Sequence, residues 1–135
     1  MDEDLIEPIP KTMEKFFGCS GQMVKPALAT VRNVVRGVRK GKLVTMEQVQ
    51  QKLASDFGVE AACPARITKA LQLIAQEPRP AGYWRVVKKN GALIPKFPDG
   101  VRGHAALLKR EGFQIDTKKK SPSVVDYQSN LATLH

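Results

Sequence analysis

Reactive side chains are scarce in this chain, and basic ones are abundant. Cys19, Cys63, His104 and His135 are its only thiols and imidazoles. No two of them stand at the C-x-x-C or H-x-x-x-H spacing that would place a pair on one metal ion, so structural zinc is set aside. Cys63 precedes Pro64 at the start of an expected helix with Arg66 close by, and both features can lower a thiol's pKa; the alternative is a small buried residue. Cys19, beside Gly18 and Gly21, has less to make it reactive, and neither histidine falls in a catalytic pattern. The chemistry that the composition favours is anion binding. Lys and Arg number 22 against 13 Asp and Glu, for a net charge of +9. Asp2, Glu3, Asp4 and Glu7 crowd the N-terminus, which leaves residues 8–135 with +13. A compact body that basic repels itself, and a polyanion, most often nucleic acid, relieves the repulsion. The competing reading is solubility alone.

The frame that must position these charges is one domain of 135 residues, with 42% hydrophobic and 26% charged residues. Those totals fit neither a disordered tail nor a membrane protein, and the length argues against a two-domain enzyme. The first fifteen residues are acidic and contain Pro8 and Pro10, unlike a secretory signal, so an intracellular, cytoplasmic protein with free thiols is expected. Ala27, Val31, Val34, Val35 and Val38 recur at helical spacing with Arg32, Arg36 and Arg39 on the other face, predicting a first amphipathic helix that ends near Gly41. Thr45 and Gln48 form a capping-box pattern, and Met46, Val49, Leu53 and Phe57 the buried stripe of a second helix stopped by Gly58. A third helix of about eleven residues turns Ile67, Ala70, Leu71 and Ile74 inward and Arg66, Lys69 and Gln72 outward. This order predicts a helix-turn-helix, in which Arg66 and Gln72 reach base edges and Lys69 meets phosphate. The same outer face could equally be a solvated one.

Beyond Pro80 the period changes. Tyr83 to Val87 is dense in strand formers, Asn90-Gly91 signals a hairpin, and Ala92-Leu93-Ile94 can return as its partner, giving a small β-hairpin wing. Phe97-Pro98-Asp99-Gly100 reads as a loop. Val101, Ala105, Leu107 and Leu108 then mark a helix ended by Gly112. After the run Lys118-Lys119-Lys120, Val124, Tyr127 and Leu131 suggest a final short helix. The expected fold class is mainly α, a winged helix-turn-helix core with short flanking helices. Its parts are an N-terminal extension (1–24), the DNA-binding domain (25–113) and a C-terminal extension packing on it (114–135). Arg32, Arg36, Arg39, Lys40, Lys42, Lys88, Lys89 and Lys96 are candidate phosphate contacts. The flanking Met13, Phe16, Phe17, Val124, Tyr127 and Leu131 are expected to extend the core.

Four pieces in this order carry a resemblance. Gly41-Lys42-Leu43-Val44-Thr45, the helix pair, Tyr83-Trp84-Arg85-Val86-Val87 with Asn90-Gly91, and Leu107-Leu108-Lys109-Arg110-Glu111-Gly112 resemble the C-terminal DNA-binding domain of the alkylguanine-DNA alkyltransferases. The likeness covers roughly residues 26–113. In that family Pro-Cys-His-Arg precedes Val-Val, and the cysteine takes the alkyl group from a flipped-out guanine. Here the matching positions hold Gly82, Tyr83, Trp84 and Arg85. A phenol is a far weaker nucleophile than a thiolate, and indole has no acceptor nitrogen for a proton. The pattern therefore looks like the alkyltransferase-like proteins, which bind alkylated guanine in DNA by nucleotide flipping and mark it for nucleotide excision repair without alkyl transfer.

The resemblance implies double-stranded DNA and repair proteins as partners, a monomer, no cofactor and no catalytic residue. It makes Tyr83 one wall of a lesion pocket, closed by the loop of Phe97, Pro98 and Asp99. Thr45 and Met46 would lie at the target phosphate. Arg66, or Ala65 in the alternative register, would fill the vacated stack, and Arg85, Lys88 and Lys89 would flank the DNA. Glu111 matches a family glutamate and is left to local hydrogen bonding at a helix end. The chain departs from the family at Met46, where a tyrosine is usual, at Pro98, where a serine is usual, and at Glu77-Pro78, where an Asn-Pro hinge is usual. Trp84, and alternatively Tyr83, could be core aromatics. The competing functions are a sequence-specific regulator, an alkyl acceptor acting through Cys63, and an RNA or ribosome contact.

Overall fold

The computed structural model describes residues 1–135. In chain order the elements are β1 (Leu5–Pro8), α1 (Glu14–Phe17), β2 (Gln22–Lys25), α2 (Leu28–Arg36), β3 (Val44–Thr45), α3 (Met46–Phe57) and β4 (Ala61–Ala62). They continue with α4 (Pro64–Ala75), β5 (Val86–Val87), α5 (Gly100–Arg110), β6 (Ile115–Asp116) and β7 (Ser123–Val124). The helices arise where the 3.6-residue period is unbroken. Val31, Val34 and Val35 of α2 meet Ile67, Ala70, Leu71 and Ile74 of α4 in one buried cluster, joined by Val49 and Leu53 of α3. The capping box of α3 is complete: the Gln48 amide N–H donates to Thr45 Oγ1 at 3.2 Å, and Gln48 Oε1 accepts from the Thr45 N–H at 2.9 Å. Pro64 opens α4 at a position whose missing N–H would have had no helical partner.

The expectation of a mainly α fold is corrected. Helix accounts for 45% of the chain and strand for 16%, in three small sheets, so the fold is a mixed α/β one. β2 pairs antiparallel with β1 and parallel with β4; β3 pairs parallel with β5; β6 pairs antiparallel with β7. Residues 1–24 are thus partly woven into a sheet that also holds the connection between α3 and α4. Met23 and Val24 are buried there, whereas Phe16 and Met13 are exposed and do not extend the core. α2 stops at Arg36, short of Gly41, although Val38 remains buried.

The expected hairpin of Tyr83–Val87 with Ala92–Ile94 does not form, for a reason visible in the backbone. Tyr83–Arg85 is a 3-10 turn, and only Val86–Val87 are extended, facing Val44 and Thr45 rather than a returning strand. Asn90 and Gly91 take positive φ values of 64° and 75°, as a tight reversal requires, and the Lys88 N–H closes it on the Ala92 carbonyl at 2.8 Å. The ladder then fails to continue. The Leu93 N–H donates to Pro122 at 2.9 Å, and Ala92 bridges Ser123. The same pairing replaces the expected C-terminal helix by β7 and a 3-10 turn at Tyr127–Asn130. Leu43, Val87, Leu93, Leu108, Phe113 and Val124 form a second buried cluster beneath it.

Candidate nucleic-acid interface

The N-terminus of α3, the first turns of α4 and the segment 88–96 enclose an open cleft of about 360 Å³. Lys88, Lys89 and Lys96 supply its charge, and Glu47 is the single carboxylate on its lining. Met46, Pro64, Ile94 and Pro95 give it an apolar wall, and Thr68 a hydroxyl. None of the three lysines forms an ion pair within the chain. Gln72 braces the cleft from α4, its Nε2 donating to the Lys96 carbonyl at 2.9 Å. Uncompensated ammonium groups beside an apolar wall suit a phosphodiester whose sugar or base must also be covered.

Behind this cleft lies a closed aromatic group. Tyr83 is 5% exposed; its ring meets Phe97 edge-on at 5.0 Å and Trp84 at 5.3 Å. Burial, and secondly the Asp99 carboxylate, push the Tyr83 phenol's pKa up, away from a reactive phenolate. Phe97 packs against His104 at 4.8 Å. Pro98 and Asp99 are exposed, with Asp99 in the left-handed region at φ 61°. The Pro98 carbonyl lies directly over Gly103, where any side chain would collide with it.

His104, the residue that ties these pieces together, is fully buried. Its Nδ1 accepts the Ile94 N–H at 3.0 Å, so the ring proton sits on Nε2, which donates to the Trp84 carbonyl at 2.7 Å. One neutral imidazole thus clamps the segment carrying Tyr83 to the one carrying Phe97. Charging it would set a second N–H against Ile94. Burial pushes its pKa down to about 4 from the ordinary 6.5, opposed by the Trp84 hydrogen bond. Because the folded-state value lies below the unfolded one, the stabilisation is complete above pH 6.5 and is lost as pH falls toward 4. The full effect is about 3 kcal/mol. Urea unfolding of the wild type is expected to weaken over that window, and His104→Gln to flatten the dependence.

Several expected contacts lie elsewhere. Met46, Lys88 and Lys89 line the cleft, and Lys69 is exposed on α4. Thr45 is buried with its hydroxyl engaged in the cap. Arg66 turns away, its Nε donating to the Pro26 carbonyl at 3.3 Å. Arg85 is interior: it chelates Glu111, with Nη2 to Oε2 at 2.8 Å, and donates to the Val38 carbonyl at 2.8 Å. Trp84 Nε1 and the Gly41 N–H complete the shell around Glu111 at 2.7 and 3.1 Å. Arg32 is paired with Glu77 at 2.5 Å. Cys63 packs toward Ile9, Met23 and Ala61 rather than into the cleft. No group of three or more His, Cys, Asp or Glu side chains is placed to hold a metal ion, and no helix is long and apolar enough to cross a membrane.

His104 escaped the sequence reading, although a signal existed. Val101, His104, Ala105 and Leu108 share one face of α5 at the i, i+3, i+4, i+7 spacing, which marks His104 as an inward residue. No family model, curated protein or solved structure matches the chain.

Proposed function

We propose that this chain is a non-catalytic DNA-binding protein that grips a duplex at the lysine cleft, takes up alkylated guanine by nucleotide flipping, and flags it for nucleotide excision repair. The observation that carries the reading is the cleft itself, where Lys88, Lys89 and Lys96 stand without carboxylate partners around the wall of Met46, Ile94 and Pro95. A nucleotide turned out of the stack loses a few kcal/mol, and apolar contact plus phosphate pairing offset part of that loss. Resemblance to the alkyltransferase-like proteins adds the lesion. Tyr83 holds the family's cysteine position, and its buried phenol does not serve as an alkyl acceptor.

Incubation with a duplex containing O6-methylguanine is expected to leave the intact mass of the protein unchanged. A 2-aminopurine placed beside the lesion is expected to brighten as the stack opens. A mass gain of one methyl group, on Cys63 or elsewhere, would make the protein an acceptor enzyme and end this reading. Binding without any change in fluorescence would remove flipping.

A further inference from the structure

Lys118, Lys119 and Lys120 are exposed on the loop between β6 and β7, outside the region of family resemblance. That loop is held against the turn that carries Lys88 and Lys89. Ser123 bridges Ala92, and Pro122 accepts the Leu93 N–H at 2.9 Å. The ring of Tyr127 covers Gly91, so that a Cβ there would come within 2.9 Å of it, and the positive φ of 75° independently favours glycine. Asn90 and Lys119 line one shared depression of about 430 Å³. Asp116 and Asp126 also face it, yet neither pairs with a lysine, and Asp116 Oδ1 accepts the Lys118 N–H at 2.9 Å. Two groups of unpaired ammonium ions, distant in sequence, are therefore fixed on adjoining loops.

We propose that Lys118, Lys119 and Lys120 form a phosphate-binding arm that carries the duplex contact beyond the cleft, with Tyr127 as the residue that seats the arm on the Lys88–Gly91 turn. The ligand is the phosphodiester backbone of double-stranded DNA, read without regard to sequence or lesion. This rests on the DNA-binding reading above, and the two fail differently.

The test is a titration of plain duplex by the full chain at several salt concentrations. K118A/K119A/K120A is expected to make the log–log salt dependence shallower by about 2 to 3, because each lost phosphate contact removes roughly 0.9. At 0.1 M salt its affinity should fall roughly 100-fold, while the ratio of lesion to plain affinity stays unchanged. K118R/K119R/K120R should bind like the wild type. K11A/K15A, which removes two exposed charges from the N-terminal segment, should leave the slope alone. An unchanged slope in the triple alanine variant, or an equal loss in K11A/K15A, overturns the arm while leaving the cleft in place. If the wild-type chain binds no duplex, the DNA-binding reading fails and the arm with it.

Discussion

Reversing the charge of the cleft, as Lys88→Glu with Lys89→Glu, is expected to weaken duplex binding by roughly 100-fold to 1,000-fold at 0.1 M salt. Two phosphate contacts are lost, which alone lowers the salt slope by about 2, and two carboxylates then repel the backbone. Both lysines are exposed on a tight turn whose closure uses backbone atoms, the Lys88 N–H on Ala92 and the Gly91 N–H on Lys88. The variant should therefore keep the wild-type circular dichroism and unfolding midpoint. Fluorescence anisotropy with a labelled duplex measures the loss. Retained affinity would move the interface away from the cleft.

Removing the Glu111 carboxylate is expected to cost a large part of the stability. Its side chain is 6% exposed and accepts from Arg85, Trp84 and Gly41 together. Burial alone would raise its pKa, but the hydrogen bonds from those three groups and the Arg85 charge outweigh it and hold the carboxyl below its ordinary range. Glu111→Ala strands a half-buried guanidinium, an indole N–H and a backbone N–H at once. The loss is about 3–5 kcal/mol, a large part of the roughly 5–15 kcal/mol that stabilises a typical domain. Glu111→Gln, which keeps one acceptor, should cost less. Urea denaturation followed by tryptophan fluorescence reports both, with Trp84, the only tryptophan, sitting on the group. Since the folded-state pKa is depressed, the Glu111 contribution is present above its ordinary value of 4.5 and lost as pH falls below it, starting at the acid end of the His104 window and continuing beneath it.

The helices were legible because each buries one face along a regular period. Val31, Val34 and Val35, like Ile67, Ala70, Leu71 and Ile74, announce their burial by spacing alone. The sheets were not. Val44 meets Val86, and Leu93 meets Pro122, across stretches of chain that no local pattern spans, and strands of two residues show no alternation. Asn90-Gly91 correctly marked a reversal, since both residues adopt positive φ, but a turn signal does not choose the strand that follows it.

The site divides in the same way. Lys88, Lys89 and Met46 come together because β5 lies beside β3, which sets the segment after one against the helix after the other. Arg66 and Arg85 look alike in sequence, as basic residues that the resemblance would set against DNA, yet one reaches the Pro26 carbonyl and the other is enclosed around Glu111. A helical period says which side of its own helix a residue occupies, and nothing about what covers that side. Glu111 itself reads in the sequence as a helix-end residue with local hydrogen bonding. What spacing could not reveal is that it gathers Arg85, Trp84 and Gly41 from two other parts of the chain.

The proposed function stands or falls on lesion recognition by a protein that grips DNA without reacting with it. Its most direct measurement is an equilibrium titration of two duplexes that differ only in one O6-methylguanine, repeated at several salt concentrations. Both duplexes are expected to bind with affinity falling steeply as salt rises, the lesion duplex tighter at every salt. Equal affinity for the two duplexes throughout would contradict it.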